Sequence, residues 1–327
     1  MSLLSESQTE PGSRAKRVSA ADPTVRFKRH LDQVARDTEK LLERLLAPHS
    51  VAGEKMRPPR LLDAMRYASL GGGKRLRPFL VVESASLFGT PRRQALMVAV
   101  ALECVHCYSL VHDDLPAMDN DALRRGRPTV HKAFDEATAI LAGDSLLTFA
   151  FDVLSRPQTH QDPALRVKLV SALSRAAGIG GMAGGQMLDL AAEGRYARPD
   201  LDFDDIRNLQ AMKTGALLQF ACSSGAILGG ADRKELSALE RYGAAVGEAF
   251  QIADDLLDVE GDATTLGKAT RKDTAAHKAT FVSLLGVDGA RQRLNTLVRK
   301  AEKAISPFGK NAGVLKVAAN FIANRRS

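Results

Sequence analysis

From Val25 onward, apolar residues return at three- and four-residue steps. Phe27, Leu31, Val34, Leu41, Leu42, Leu45 and Leu46 form one stripe, the pattern of a helix buried along a single face. The same period continues over residues 61–70, 76–88, 92–113, 131–154, 164–177, 204–229, 232–260, 278–304 and 310–324. Short punctuators separate these stretches: Gly71-Gly72-Gly73, Gly89-Thr90-Pro91, the glycine-rich run 178–185, Ala197-Arg198-Pro199, Gly229-Gly230 and Pro307. No segment alternates strictly with β-branched residues, so strands are not expected. The pattern predicts an all-α fold, a large bundle of antiparallel helices with short connections, in one domain over 24–327. Residues 1–23 are Ser-rich and aperiodic, and they end on Asp22-Pro23; they read as a flexible tail.

Composition narrows the function. The 327 residues are 45% hydrophobic and 26% charged, enough apolar material for a sizeable core. Ala95–Val105 is the most apolar run; Glu103 breaks it, and no uncharged run reaches the length of a membrane span. Acidic residues in the tail argue against an organellar presequence, and it has no apolar stretch for a secretory signal. Three cysteines are too few for a disulfide framework and favour a reducing, cytoplasmic setting. The net charge of +8 suits an anion, but only 5% of residues are aromatic and Trp is absent. That argues against nucleic acid bound by base stacking and leaves smaller phosphorylated ligands.

Two long apolar stretches each end in a knot of aspartates. The first reads His112-Asp113-Asp114-Leu115-Pro116-Ala117-Met118-Asp119-Asn120-Asp121; the second reads Gln251-Ile252-Ala253-Asp254-Asp255-Leu256-Leu257-Asp258. Adjacent like charges repel and carboxylates resist burial, so a cation belongs at each. Asp254 and Asp258 lie about 40° apart on an ideal helix, where they can share a divalent ion, and oxygen ligands of this kind suit Mg²⁺. Asp113 and Asp119 would sit about 120° apart on a regular helix. Pro116 lets the chain leave the helix and bring Asp119 back beside Asp113. Mg²⁺ on so few carboxylates completes its shell with water and substrate phosphate.

Phosphate calls for cations, and they come in groups: Lys74, Arg75 and Arg77 after the glycine turn, Arg124-Arg125, Lys213 and Lys268. A P-loop is rejected, since it would need Gly at Ala68 and Ser or Thr at Arg75. Arg75, taken alone, reads as a solvated cation.

In order along the chain, Gly72-Gly73-Lys74-Arg75-Leu76-Arg77-Pro78, the first aspartate knot with Leu123-Arg124-Arg125-Gly126, Lys213-Thr214-Gly215 and Phe250-Gln251-Ile252-Ala253-Asp254-Asp255-Leu256-Leu257-Asp258 resemble the motifs of the trans-prenyltransferases. The resemblance runs from about residue 25 to the C-terminus. It points to the bacterial-type short-chain polyprenyl diphosphate synthases, nearest to the farnesyl diphosphate synthase group. It implies an isoprenoid synthase-like bundle around a central cavity, a homodimer, and head-to-tail joining of isopentenyl diphosphate to dimethylallyl and then geranyl diphosphate. It also implies that Asp113, Asp119 and Asp254 hold three Mg²⁺ (or Mn²⁺) ions, with Asp114, Asp255 and Asp258 in support. Arg124, Lys213 and Lys268 would grip the allylic diphosphate. Lys74, Arg77, His106 and Arg125 would bind isopentenyl diphosphate, and Thr214 and Gln251 would line the carbocation's path. The released pyrophosphate would take the final proton. Tyr108, with Ser109 beside it, would form the floor that limits product length. The chemistry fits these residue types, because donors aimed at a departing diphosphate stabilise the charge that bond cleavage creates.

Other readings are weaker. Cys104, His106 and Cys107 lack a fourth zinc ligand and point in different directions on a helix. Met97 and Met118 suit packing. A geranylgeranyl diphosphate synthase differs by one condensation. A class I terpene cyclase usually carries Ser or Thr where Asp258 stands and has no task for Lys74 and Arg77. A noncatalytic subunit would have lost aspartates from a knot, and both knots are complete.

Overall fold

In the computed structural model, residues 23–196, 201–265 and 280–324 are described, and helices dominate. The first stripe forms α1 (Pro23–Leu45), which buries Phe27, Leu31, Val34, Leu41 and Leu42 and starts on the last residue assigned to the tail. Then come α2 (Pro59–Ser69), α3 (Leu76–Ser86) and α4 (Arg92–Asp113). The stretch 131–154 divides at Phe134 into α5 (Val130–Ala133) and α6 (Glu136–Ser155). Asp135 caps α6 by accepting from the Thr138 N–H at 2.7 Å. α7 (Pro163–Ala177) carries Asp162 as its cap and Pro at its start.

Four differences from the sequence expectation matter for function. The run 178–185 holds the start of an unforeseen helix, α8 (Met182–Ala192). The stretch 204–229 is interrupted: α9 (Phe203–Gln210) passes through a π-helical turn, Ala211–Gly215, into α10 (Ala216–Leu228). A two-residue hairpin, β1 (Leu123–Arg124) with β2 (Arg127–Pro128), stands where no strand was expected, pairing Leu123 with Pro128 and Arg124 with Arg127. The C-terminal stretch starts with a 3-10 segment, Ser306–Ala312, before its last helix. The remaining helices are α11 (Arg233–Thr265), α12 (Phe281–Ala304, kinked at Gly286) and α13 (Gly313–Ala323).

α4 occupies the centre, with α1, α2, α3, α6 and α10 packed around it. Its residues 97–105 are all buried. A stripe that wide belongs to a helix enclosed on every side. α10 bridges this group to α11, which in turn packs on α12 and α13. The fully buried Tyr242 donates to the Leu315 carbonyl at 2.7 Å, fastening α11 to α13. Phe27 stands edge-on to Phe79, centroids 5.1 Å apart, and packs on Phe321 at 4.9 Å, so both chain ends meet over α3.

The membrane expectation needs a correction. Arg92–Asp113 and Glu136–Ser155 are long and apolar enough to cross a bilayer, with mean hydropathy 1.6 and 1.5 over their strongest windows. Protein covers 67% and 50% of those windows, as in core helices. Glu103, which breaks the run in sequence, is itself buried, with Arg75 as its partner.

Candidate active site

α4 ends at Asp113, and the turn that follows does what Pro116 suggested. The Asp119 N–H donates to the Asp113 carbonyl at 2.8 Å, and Asn120, at φ +55°, closes the turn on the Leu115 carbonyl. Arg195 clamps the same turn from outside, donating to the carbonyls of Ala117, at 2.6 Å, and Met118. The sequence reading missed Arg195, which belongs to no motif.

Asp113 is half-buried, and its carboxyl is pushed up to about 6. Burial is the largest cause; Lys213 and Arg124 pull it down, and Asp119 and Asp114 push it up. The site therefore holds negative charge that the protein leaves incompletely balanced. Asp114 differs. It is buried against Arg124, whose Nε and Nη2 approach Oδ1 at 2.8 and 2.7 Å. Of the first knot, Asp113 is half-buried and Asp119 exposed, while Asp114 is buried and paired with Arg124.

The second knot divides in the same way. Asp255 is buried and accepts from Gln251 Nε2 and the Phe281 N–H, each at 2.9 Å, which ties α11 to the start of α12. Asp254 is half-buried and Asp258 exposed. Asp114 and Asp255, expected in support of the metal, hold Arg124 and the Gln251 and Phe281 donors in place. The fields of the two knots meet at the π turn. Lys213, which draws Asp113 down, is paired with the buried Asp189 of α8, and Thr214 Oγ1 reaches Gln251 Oε1 at 3.3 Å. Asp189 was also missed. Lys268 lies outside the described residues.

Lys74, Arg77, His106 and Arg125 line one cavity of about 350 Å³, walled by Leu31, Phe250, Phe321 and Ile322. Gly73, at φ +119°, lies so close to Arg125 that a Cβ would stand 2.5 Å from its Nη1. Arg125 is in the left-handed region itself (φ +52°) and donates to the Gly72 carbonyl at 2.9 Å. Arg77 stacks over Phe250 at 6.0 Å; burial lowers its pKa, and Glu103 and Asp254 pull the other way. Its Nε is buried without a protein partner. Burial, then Arg77 and Arg125, hold His106 well below the ordinary imidazole range, so it is a neutral hydrogen-bonding group here. Arg75 is corrected: it is buried, with Nη1 2.5 Å from Glu103 Oε1 and Nη2 2.6 Å from the Ser69 carbonyl. With Glu103 it forms part of the cavity wall.

Tyr108 is half-buried on α4 and stands edge-on to His112, centroids 5.8 Å apart. His112 fits against Gly143 of α6, where a Cβ would stand 2.8 Å from the imidazole Cε1, and reaches the Ile140 carbonyl at 3.1 Å. Ser109 Oγ donates to the His106 carbonyl at 2.9 Å. Cys104 and Cys107 are buried free thiols, the latter pushed up to about 12 by burial. Among the described residues no three acidic, thiol or imidazole groups gather into a metal cage. The Asp113 carboxylate, pushed up by burial and by Asp119 and Asp114, is an oxygen donor of the kind that fits Mg²⁺, which takes one or two carboxylates and completes its shell with water and ligand phosphate.

The sequence model of the family described as polyprenyl synthetase matches residues 58–311. The farnesyl diphosphate synthase of Escherichia coli strain K12 is 40% identical over 304 residues, covering 91% of this chain and 99% of the relative. The geranylgeranyl diphosphate synthase of Cyanophora paradoxa is 42% identical over 271 residues, 83% of this chain and 89% of its own. The apo crystal structure of an FPP/GFPP synthase from Zymomonas mobilis superimposes with a TM-score of 0.81 at 45% identity, covering 92% of this chain and 99% of that one. A match this long, with the motifs placed as described, makes the chain a member of the polyprenyl synthetase family.

Proposed function

We propose that the protein condenses isopentenyl diphosphate with dimethylallyl diphosphate and then with geranyl diphosphate, releasing pyrophosphate each time and ending at farnesyl diphosphate. One observation carries this reading: a basic cavity holds Lys74, Arg77, His106 and Arg125, and it is tied to both aspartate knots, because Arg124, next to Arg125, acts on Asp113, and Asp254 acts on Arg77. Two diphosphates can thus be bound by different chemistry, one by cations alone and one through a metal. Farnesyl diphosphate synthases at 40% identity in Escherichia coli and Geobacillus stearothermophilus support the fifteen-carbon product.

Each group then has a task. The cavity holds isopentenyl diphosphate by the planar fork of Arg77 and Arg125, the point charge of Lys74 and the neutral His106. Arg124, fixed by Asp114, and Lys213, fixed by Asp189, face the allylic diphosphate as charge builds on it. Asp113, Asp119 and Asp254, supported by Asp114, Asp255 and Asp258, would hold Mg²⁺, which would supply positive charge against the leaving diphosphate. Thr214 and Gln251, joined by a hydrogen bond, would line the path of the developing cation. The apolar faces of α4 and α6 exclude the water that would quench it. Three ions per site, Mn²⁺ as a substitute, a homodimer, a cytoplasmic setting, a distinct tail over 1–23 and a role for Lys268 belong to the same proposal.

Purified protein with Mg²⁺, isopentenyl diphosphate and dimethylallyl diphosphate should give a C15 product on chromatography. Asp113→Ala and Asp254→Ala should each lower turnover by about three orders of magnitude with an unchanged circular dichroism spectrum. A C20 product would reassign the chain as a geranylgeranyl diphosphate synthase. No consumption of isopentenyl diphosphate would end the reading.

A further inference from the structure

α8 starts where the sequence is richest in glycine, and the reason lies across the interface. A Cβ at Gly185 would stand 2.6 Å from the Lys213 Cα, and one at Gly184 would stand 2.9 Å from the Met212 Cε. The helix therefore lies directly on the backbone of the π turn. One helical turn beyond Gly185, Asp189 points its carboxylate at the Lys213 ammonium. Asp189 is 4% exposed and its side chain 6%, whereas the Lys213 side chain is 25% exposed. The pair is thus anchored at its carboxylate end and open at its ammonium end. The π turn adds a residue within one helical turn, and such insertions are concentrated at functional sites. On the far side, Gly247 of α11 comes within 2.9 Å of the Gly215 Cα if given a Cβ, so the turn is seated from both sides.

We infer that Asp189 is a positioning residue for the proposed reaction: from the glycine face of α8 it fixes the Lys213 ammonium at the allylic diphosphate site. The inference rests on the proposed prenyl transfer. A lysine carries about 2 kcal/mol of rotamer entropy and no preset donor geometry. Held by a buried carboxylate, the ammonium is ordered before the substrate arrives, and its exposed side still offers protons to phosphate oxygens. Arg124 is held in the same manner by the buried Asp114 at the end of α4. Two cations, each braced by a buried aspartate, would then flank one diphosphate.

The test is steady-state kinetics of Asp189→Asn, Lys213→Ala and the double variant, each substrate varied in turn. Asp189→Asn keeps the side chain's shape and removes its charge. It should lower kcat/KM for dimethylallyl diphosphate by about 10- to 100-fold, the usual loss when a supporting partner is removed. KM for isopentenyl diphosphate should change less than about threefold, because that cavity is built from other helices. The double variant should be no worse than Lys213→Ala alone, because the aspartate acts only through the lysine. Equal loss toward both substrates, or losses that multiply, would overturn the inference. Isopentenyl diphosphate binding by calorimetry shows whether Asp189→Asn is folded; if it is not, Asp189→Ser, smaller and uncharged, replaces it, and full activity without the carboxylate would equally count against the idea. Inactive wild-type protein would instead sink the reading beneath it, so the two failures are distinguishable.

Discussion

A guanidinium as deeply buried as that of Arg75 is tolerable only if its charge is met, and Glu103 meets it at 2.5 Å with both side chains almost fully enclosed. The Ser69 carbonyl takes a second proton. Arg75 also adopts a left-handed backbone (φ +47°) at the residue preceding α3, and it lines the cavity together with Lys74 and Arg77. Removing one member strands the other. Glu103→Ala should therefore lower unfolding free energy by about 3–5 kcal/mol. Urea denaturation would show this as a fall in midpoint with little change in slope. Replacing both residues by apolar ones should recover most of the loss, and a single-variant loss under about 1 kcal/mol would mean that the pair does not brace the cavity. Sequence offered no way to foresee this. Two charges 28 positions apart in different stretches carry no periodic mark, and an arginine beside a glycine turn looks like every solvated arginine.

Helices that repeat their apolar step for three turns or more were legible, α1 and α4 among them, because burial on a fixed face imposes the period. Elements set by tertiary contact were not. α8 contains Gly184 and Gly185, which weaken a helix by about 1 kcal/mol each relative to Ala, so its sequence reads as a break. Close packing against the π turn, which needs residues without a Cβ, outweighs that preference. The π turn has no propensity of its own to read. The hairpin is too short for alternation, yet Arg125 and Gly126 at φ +52° and +74° make a turn of the type that suits a two-residue loop. Its consequence is functional: Arg124 turns back to Asp114, and Arg125 reaches Gly72 at the other cavity. In the proposed reaction, neighbours in sequence would thus serve different diphosphates. The packing argument makes a prediction for α8. Gly185→Ala should destabilise the fold by about 1–3 kcal/mol through overpacking, and should weaken allylic more than isopentenyl diphosphate binding. Gly180→Ala, where a Cβ meets nothing within 4 Å, is the control and should behave as wild type in thermal melts and in both KM values.

Across the whole molecule, α4 joins three functions along one axis. Its last residue carries Asp113, His106 faces the basic cavity, and Tyr108 sits between them, about 7.5 Å back from Asp113 along the helix. In the proposed reaction, a chain growing from the acidic site alongside α4 would pass Tyr108. Tyr108 is held against His112, which Gly143 admits and the Ile140 carbonyl fixes, so the obstacle is supported from the neighbouring helix and cannot simply rotate aside. Asp113 influences Tyr108 directly: with burial as the larger cause, it raises the phenol's pKa and keeps the ring neutral. Tyr108→Ala removes the ring while leaving both diphosphate sites intact. The product should lengthen from C15 toward C20 or beyond, with isopentenyl diphosphate KM within about threefold of wild type. Chromatography of the extracted, dephosphorylated products reads the outcome. An unchanged C15 product would place the floor elsewhere in the bundle. Slower turnover without lengthening would mean that Tyr108 orders His112 and the first aspartate knot rather than limiting the chain.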